Sequence, residues 1–285
     1  MASVSGSGCE LIVPLHERIP IKEIERSIIK TYRKDLWSRF MKGVKEFNLI
    51  EEGDRIAVGI SGGKDSLLLA KLLQELQRHG KVPFELEFIA MNPGYYVTNE
   101  ERLKDNCQYL EIPITYYDSG IFGVVDKVAS DYPCYLCAKM RRGALYAKAQ
   151  ELKCNKLALG HHMDDVIETQ LMNMFFAGMT KTMMPRLKSQ NFEGLELIRP
   201  MYYIKEDVIK KFTMNAGLSP MNCGCVVAAK KTSSKRSEMK ALIAKLKETN
   251  PDIDKCILQS AHNVNMSCMV GWSDDEGRHS FLDDY

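Results

Sequence analysis

Between Arg55 and Tyr117 short apolar runs alternate with longer stretches in which apolar residues recur every three or four positions. The first pattern is that of a buried strand, the second that of an amphipathic helix. Strands are predicted at Arg55–Ile60, near Phe84–Met91 and near Ile112–Tyr117, with helices from Ser66 to His79 and around Asn99–Tyr109. This βαβαβ alternation predicts an α/β fold, a parallel sheet with helices on both faces and ligands at the carboxyl ends of its strands. A later short strand, Lys156–Leu159, runs through Gly160-His161-His162 into a helix predicted over Met163–Phe176. Upstream, Ile21, Ile24, Ile28, Leu36, Phe40, Val44 and Phe47 keep helical spacing and predict one or two helices. Beyond Gly178 a loop rich in Met, Lys and Gln reaches Leu197-Ile-Arg-Pro200, followed by helical patterns at Glu206–Ala216, Ser234–Thr249 and Asp252–Ser260. The expected organisation is an N-terminal helical segment (1–50), an α/β domain (51–218), a helical extension (219–270) and a tail (271–285).

Composition adds limits. A chain of 285 residues with 45% hydrophobic and 27% charged residues can bury a sizeable core. No apolar run approaches the roughly 18 residues that a membrane span needs, and Met1–Cys9 lacks a basic segment followed by an apolar one, so a cytoplasmic location without membrane attachment is expected. The net charge of +2 hides an asymmetry. In the tail Asp274, Asp275, Glu276, Asp283 and Asp284 stand against Arg278 alone, which leaves the rest of the chain basic. That balance permits a polyanionic partner without requiring one, and the acidic tail is expected to be disordered.

The first candidate for chemistry is Ser61-Gly62-Gly63-Lys64-Asp65-Ser66, placed where the first strand turns into a helix. Two glycines let backbone amides approach an oxyanion, the helix N-terminus adds partial positive charge and Lys64 a full one. The spacing is not that of the Walker A loop, because Lys64 is followed by Asp65 before Ser66. Asp164 and Asp165 open the helix after His162. Acidic residues there complement the helix dipole, or hold a divalent cation against a triphosphate; the second reading gains from their place at a strand's carboxyl end.

Nine cysteines without an export signal point to thiols or metal ligands rather than disulfides. Cys134 and Cys137 form a Cys-x-x-Cys pair at the start of a helix running to Leu152, where the helix N-terminus favours thiolate. The pair suits metal chelation, with a thioredoxin-type redox disulfide as the alternative. Cys223 and Cys225 flank Gly224, and one of them would complete a three-cysteine site. Cys9, Cys107, Cys154, Cys256 and Cys268 occur singly and read as small buried hydrophobes.

The glycine turn resembles the PP-loop of the ATP pyrophosphatases. Taken with Pro133-Cys-Tyr-Leu-Cys-Ala-Lys-Met-Arg-Arg-Gly143, Leu159-Gly-His-His-Met-Asp-Asp165 followed by Glu168-Thr169, and Leu197-Ile-Arg-Pro200, the chain from Phe47 to Cys225 is similar to the tRNA 2-thiocytidine synthetase group of that superfamily. The resemblance implies a PP-loop domain of the adenine nucleotide alpha hydrolase-like fold. It also implies ATP as co-substrate, Mg2+, a 4Fe-4S cluster on three cysteines, a tRNA partner and a homodimer. Sulfur would come from a desulfurase or from free sulfide and replace the C2 oxygen of a pyrimidine. On that reading Lys64 and Asp165 are catalytic, Ser61, Gly62, Gly63 and Ser66 bind phosphate, and Asp65 orders the loop or reaches magnesium. Gly160 leaves room beside the nucleotide, and the Met91 backbone meets adenine. Cys134, Cys137 and Cys223 would ligate the cluster, with Cys225 as substitute: the group presents its third cysteine as Cys-Gly-Ser-Gln, whereas this chain has Cys223-Gly-Cys-Val226. Lys139, Arg141 and Arg142 could meet RNA phosphate or ATP, or solvate a helix face. Two other functions stay open: a cluster-independent PP-loop C–N ligase of the lysidine-synthetase type, and a nucleotide-binding iron-sulfur redox sensor.

Overall fold

The computed structural model describes residues 12–95, 97–121, 133–221 and 235–284, and of 133–138 and 284 the backbone alone. A six-stranded sheet of order β3-β2-β1-β4-β6-β5 forms its centre, built from β1 (Arg55–Ile60), β2 (Glu85–Asn92), β3 (Ile114–Asp118), β4 (Lys156–Ala158), β5 (Arg186–Lys188) and β6 (Glu196–Ile198). All neighbours pair in parallel except β5 with β6, which form an antiparallel edge. The order reverses at β1, the central strand, which runs β1-β2-β3 one way and β1-β4-β6 the other. Such a switch point opens a crevice at the strands' carboxyl ends.

The two faces of β1 show why the sheet is buried. Ile56, Val58 and Ile60 point into the larger core with α3 (Lys64–His79), while Ala57 faces the opposite core with Tyr146 and Ala149 of α5 (Pro133–Glu151). Helix α3 is enclosed from Ser66 to Leu76, so its Leu-rich stretch serves as the central helix. Upstream, α1 (Ile21–Ile29) and α2 (Ser38–Glu46) bury Ile24 and Ile28, and Phe40 and Val44, two i, i+4 pairs typical of an amphipathic helix on a core. A five-residue π turn, Arg33–Trp37, joins these two helices. Helices α4 (Val97–Tyr109), α6 (Met163–Ala177), α7 (Glu206–Asn215), α8 (Lys235–Lys247) and α9 (Ile253–Ser260) complete the helical set. A separate cluster packs α6 against α8 and α9 through Val166, Ile167, Met239, Ile243 and Leu258. Lys205 and Lys247 both pair with Asp254, which is 2% exposed, tying α8 and α9 to the start of α7.

Three expectations are revised. The third strand begins at Ile114, two residues late, because Pro113 has no amide hydrogen to give a ladder. Strand β5 lies in the stretch read as loop; Arg186 holds it there, donating to Glu196 and to the Asn48 carbonyl. The acidic tail, expected to be disordered, forms a hairpin of β7 (Gly271–Ser273) and β8 (Arg278–Ser280), in which Trp272 stacks on His279 and His279 lies 2.9 Å from Asp274. One aromatic pair and one local hydrogen bond supply order that composition does not reveal. Among the described residues no helix is long and apolar enough to cross a membrane.

Candidate nucleotide site

The glycine turn is held open by its own side chains. The Ser66 hydroxyl donates to the Gly63 carbonyl at 3.0 Å and accepts from the Ser61 amide at 3.2 Å, while Gly62 adopts φ +78°. Its carbonyl accepts from the Met221 amide at 2.8 Å. Helix α3 then begins at Lys64 with no side-chain cap, leaving first-turn amides directed outward. Gly160, at the end of β4, passes so close that a Cβ there would lie 3.0–3.1 Å from the backbone of Asp65 and Ser66. A cleft of about 360 Å3 opens over this junction, within the range usual for small ligands. Ser61, Asp65, Met91, Gly160 and Asp165 are among its walls.

Lys64 Nζ lies 3.0 Å from Asp65 and 3.2 Å from Glu206, the first residue of α7. Burial acts to lower the Lys64 pKa, but the two carboxylates outweigh it and hold the ammonium above the usual lysine value. Burial likewise opposes ionisation of Glu206, yet hydrogen bonding from Lys240 and the charge of Lys64 bring it down to about 2. Across the cleft His162 caps α6: its Nδ1 accepts from the Asp165 amide and Asp165 accepts from the His162 amide at 3.1 Å. Asp165 also receives Arg236 at 3.1 Å; burial would raise its pKa, and the charges of His162, His161 and Arg236 keep it low. Burial pushes His161 down to about 4.

Of the two acids that open α6, Asp164 is turned away to accept from the Glu206 amide at 2.8 Å, so Asp165 alone faces the cleft. Asp65 Oδ1 is buried without a hydrogen-bond partner among the described residues, with His162 Nε2 3.7 Å away. An orphaned carboxylate oxygen beside Asp165 suits a divalent cation. Arg141 and Arg142 line the same cleft, Arg141 donating to the Tyr95 hydroxyl at 3.2 Å, whereas Lys139 is exposed on the helix surface.

Cys134 and Cys137 fall in the first turn of α5, with side chains outside the description, and Cys223 and Cys225 lie outside the described residues. Of the described residues, Met221 donates to Gly62 of the glycine turn, and Arg236 to Asp165 of the cleft wall and to Glu168. Cys107 and Cys154 are buried, as their single occurrence predicts, and burial raises their thiols to about 12 and about 11; Cys256 and Cys268, read the same way, are instead exposed, Cys268 in a short helical turn that buries none of its residues, and Cys9 lies outside the described residues. Among the described residues no three His, Cys, Asp or Glu side chains are grouped to hold a metal ion.

Sequence reasoning assigned no role to Glu206 or Lys240; Arg236 closes the basic run Lys230–Arg236, which reads as a second basic candidate beside Lys139, Arg141 and Arg142 or as a solvated helix start. The only signal was the position of Glu206 just beyond Leu197–Pro200, at the end of a strand two places from β1.

A profile of the PP-loop domain matches residues 33–221. A tRNA-cytidine(32) 2-sulfurtransferase of Geotalea daltonii is 39% identical over 235 residues, covering 81% of this chain and 92% of its own length. One from Pelobacter propionicus is 41% identical over 227 residues, 79% of this chain and 83% of its own. Among solved structures, the U34-tRNA thiolase NcsA from Methanococcus maripaludis with its [4Fe-4S] cluster superposes with a TM-score of 0.61 at 25% identity, over 88% of this chain and 81% of that one. The chain belongs to the PP-loop family and, within it, to the group of the tRNA-cytidine(32) 2-sulfurtransferases.

Proposed function

We propose that this protein is an ATP-dependent, iron-sulfur-dependent tRNA sulfurtransferase that converts a cytidine to 2-thiocytidine, at position 32 as in the names of its relatives. The observation that carries the reading is the meeting of the glycine turn, through Ser61, Asp65 and Ser66, with Gly160 and Asp165 in the walls of one cleft. The C2 oxygen of the base attacks the α-phosphorus of ATP, pyrophosphate leaves, sulfide then attacks C2, and AMP departs with the oxygen. Outward amides of the Ser61–Ser66 turn and the Lys64 ammonium bind the pyrophosphate and stabilise the charge it gains. Asp165 and Asp65, whose Oδ1 is buried without a hydrogen-bond partner among the described residues, would hold Mg2+, which would offset charge on the phosphates. Gly160 keeps the nucleotide against the turn, and the Met91 backbone meets adenine.

The donor set suits a 4Fe-4S cluster. Cys134 and Cys137 stand on the helix that carries Arg141 to the cleft, and Cys134 precedes Arg141 by seven residues, roughly 10 Å of helix. Cys223 follows Met221 by two residues. Bound by these three cysteines, with Cys225 as substitute, the cluster would supply an open iron to carry sulfide. Arg141 and Arg142, placed in the cleft wall, serve ATP or the incoming RNA; Lys139 serves RNA phosphate. Residues 51–218 form the catalytic unit, the enzyme acts in the cytoplasm as a homodimer, and a desulfurase or free sulfide supplies the sulfur.

The test is mass spectrometry of tRNA nucleosides from cells lacking the gene, complemented with wild type, Lys64→Ala or Cys134→Ala. Wild type is expected to restore 2-thiocytidine and both variants to leave it absent. A full thionucleoside level with Cys134→Ala would remove the cluster from the mechanism, and a 2-thiocytidine level unchanged by loss of the gene would overturn sulfur transfer and favour the C–N ligase chemistry.

A further inference from the structure

Glu206 is only 15% exposed, and three lysines surround its carboxylate: Lys64 at 3.2 Å on Oε1, and Lys240 at 2.6 Å and Lys210 at 3.6 Å on Oε2. Its backbone amide donates to Asp164 at 2.8 Å, which ties the start of α7 to the start of α6. The arrangement carries an electrostatic difficulty. Lys64 lies between two carboxylates, Asp65 and Glu206, and by itself neutralises only one of them, so the charge presented to an incoming triphosphate depends on the lysines that face Glu206 from its other side, Lys240 at 2.6 Å and Lys210 at 3.6 Å. Lys240 offsets the excess by its short pairing with Glu206. It stands on α8, in the C-terminal extension beyond the matched PP-loop profile, which ends at residue 221. Arg236, four residues earlier and thus on the same helix face, reaches Asp165 and Glu168 on the other side of the cleft. One helix face therefore meets both acidic groups that border the phosphates.

We infer that Lys240 is a positioning residue of the nucleotide site: through Glu206 it sets the charge around Lys64 and so the affinity for the triphosphate. The inference rests on the reading of the cleft as an ATP site. A simpler role would be to staple α8 to α7, and the two roles make different predictions. Loss of a staple lowers the unfolding temperature and the affinity together. Loss of charge compensation lowers the affinity where Glu206 is ionised and leaves the unfolding temperature of Lys240→Met at the wild-type value, so an affinity loss matched by a fall in unfolding temperature overturns the inference.

The experiment is calorimetric titration of the full-length protein with α,β-methylene-ATP and Mg2+, with thermal unfolding of each variant alongside. Lys240→Met is expected to weaken binding about fivefold, as for a half-exposed ion pair, and Lys240→Arg to bind within about twofold of wild type because the charge is kept. On a Glu206→Gln background, Lys240→Met is expected to change the affinity by less than about twofold. An equal loss in both backgrounds, or no loss in either while Lys64→Ala abolishes binding, overturns the role of Lys240 and leaves the ATP site standing. Failure of the wild type to bind the analogue, or wild-type binding by Lys64→Ala, overturns both.

Discussion

At Gly160 a hydrogen stands where any other residue would press a methyl group on the first turn of α3. The neighbours of that Cβ are backbone atoms of Asp65 and Ser66, which move only if the turn itself moves. Gly160→Ala is therefore expected to cost about 1–3 kcal/mol of overpacking. On the proposed ATP site it should also weaken binding of an ATP analogue more than tenfold, since the displaced amides are those proposed to meet phosphate. Thermal unfolding and nucleotide titration of the same preparation check both. The glycine turn, Lys64 and Asp165 were legible in the sequence, because each belongs to a short contiguous motif whose chemistry follows from residue type and spacing. Glu206 was not. An acid in a helix's first turn has an ordinary explanation, and its contact with Lys64 spans 142 positions of chain.

Strands and helices were legible where periodicity was strong and less so where charge held the element in place. Strand β4 has three residues, all buried, and one of them is Lys156 at 2% exposure. Its ammonium lies 2.6 Å from Asp54 and 3.0 Å from Glu51, in the turn before β1, so the ion pair clamps the strand that leads to Gly160. Lys156→Met strands Asp54, itself 4% exposed, with Asn155 as its remaining side-chain donor. The expected loss is about 3 kcal/mol, the lower end for breaking a buried pair because that donor stays. Urea unfolding would read it, and a change below about 1 kcal/mol would show the clamp to be dispensable. Strand β5 escaped the sequence for a related reason. Three residues carry too little period, and Arg186 contacts with Glu196 and Asn48 keep them at the sheet edge.

For the whole molecule the titrating groups set a direction. Folding depresses His161 to about 4 from 6.5 and Glu206 to about 2 from 4.5, so the unfolded chain binds more protons than the native one in both intervals. Stability therefore rises with pH there and is lost on acidification, first from about pH 6.5 to 4 through His161, then from about 4.5 to 2 through Glu206. Urea midpoints between pH 7.5 and 4 should fall, and His161→Asn should flatten the upper part of that slope. A slope unchanged by this substitution would assign the loss to other groups. The amino-acid sequence by itself determined the alternation of strand and helix, the phosphate turn and the four motifs that mark the family, because these rest on neighbours within a few residues. Only the tertiary structure decided which charges face one another across the cleft. There Glu206 comes from α7 and Arg236 and Lys240 from α8, and their pairing with Lys64 and Asp165 depends on how α3, α6, α7 and α8 pack, a long-range outcome that local spacing does not encode.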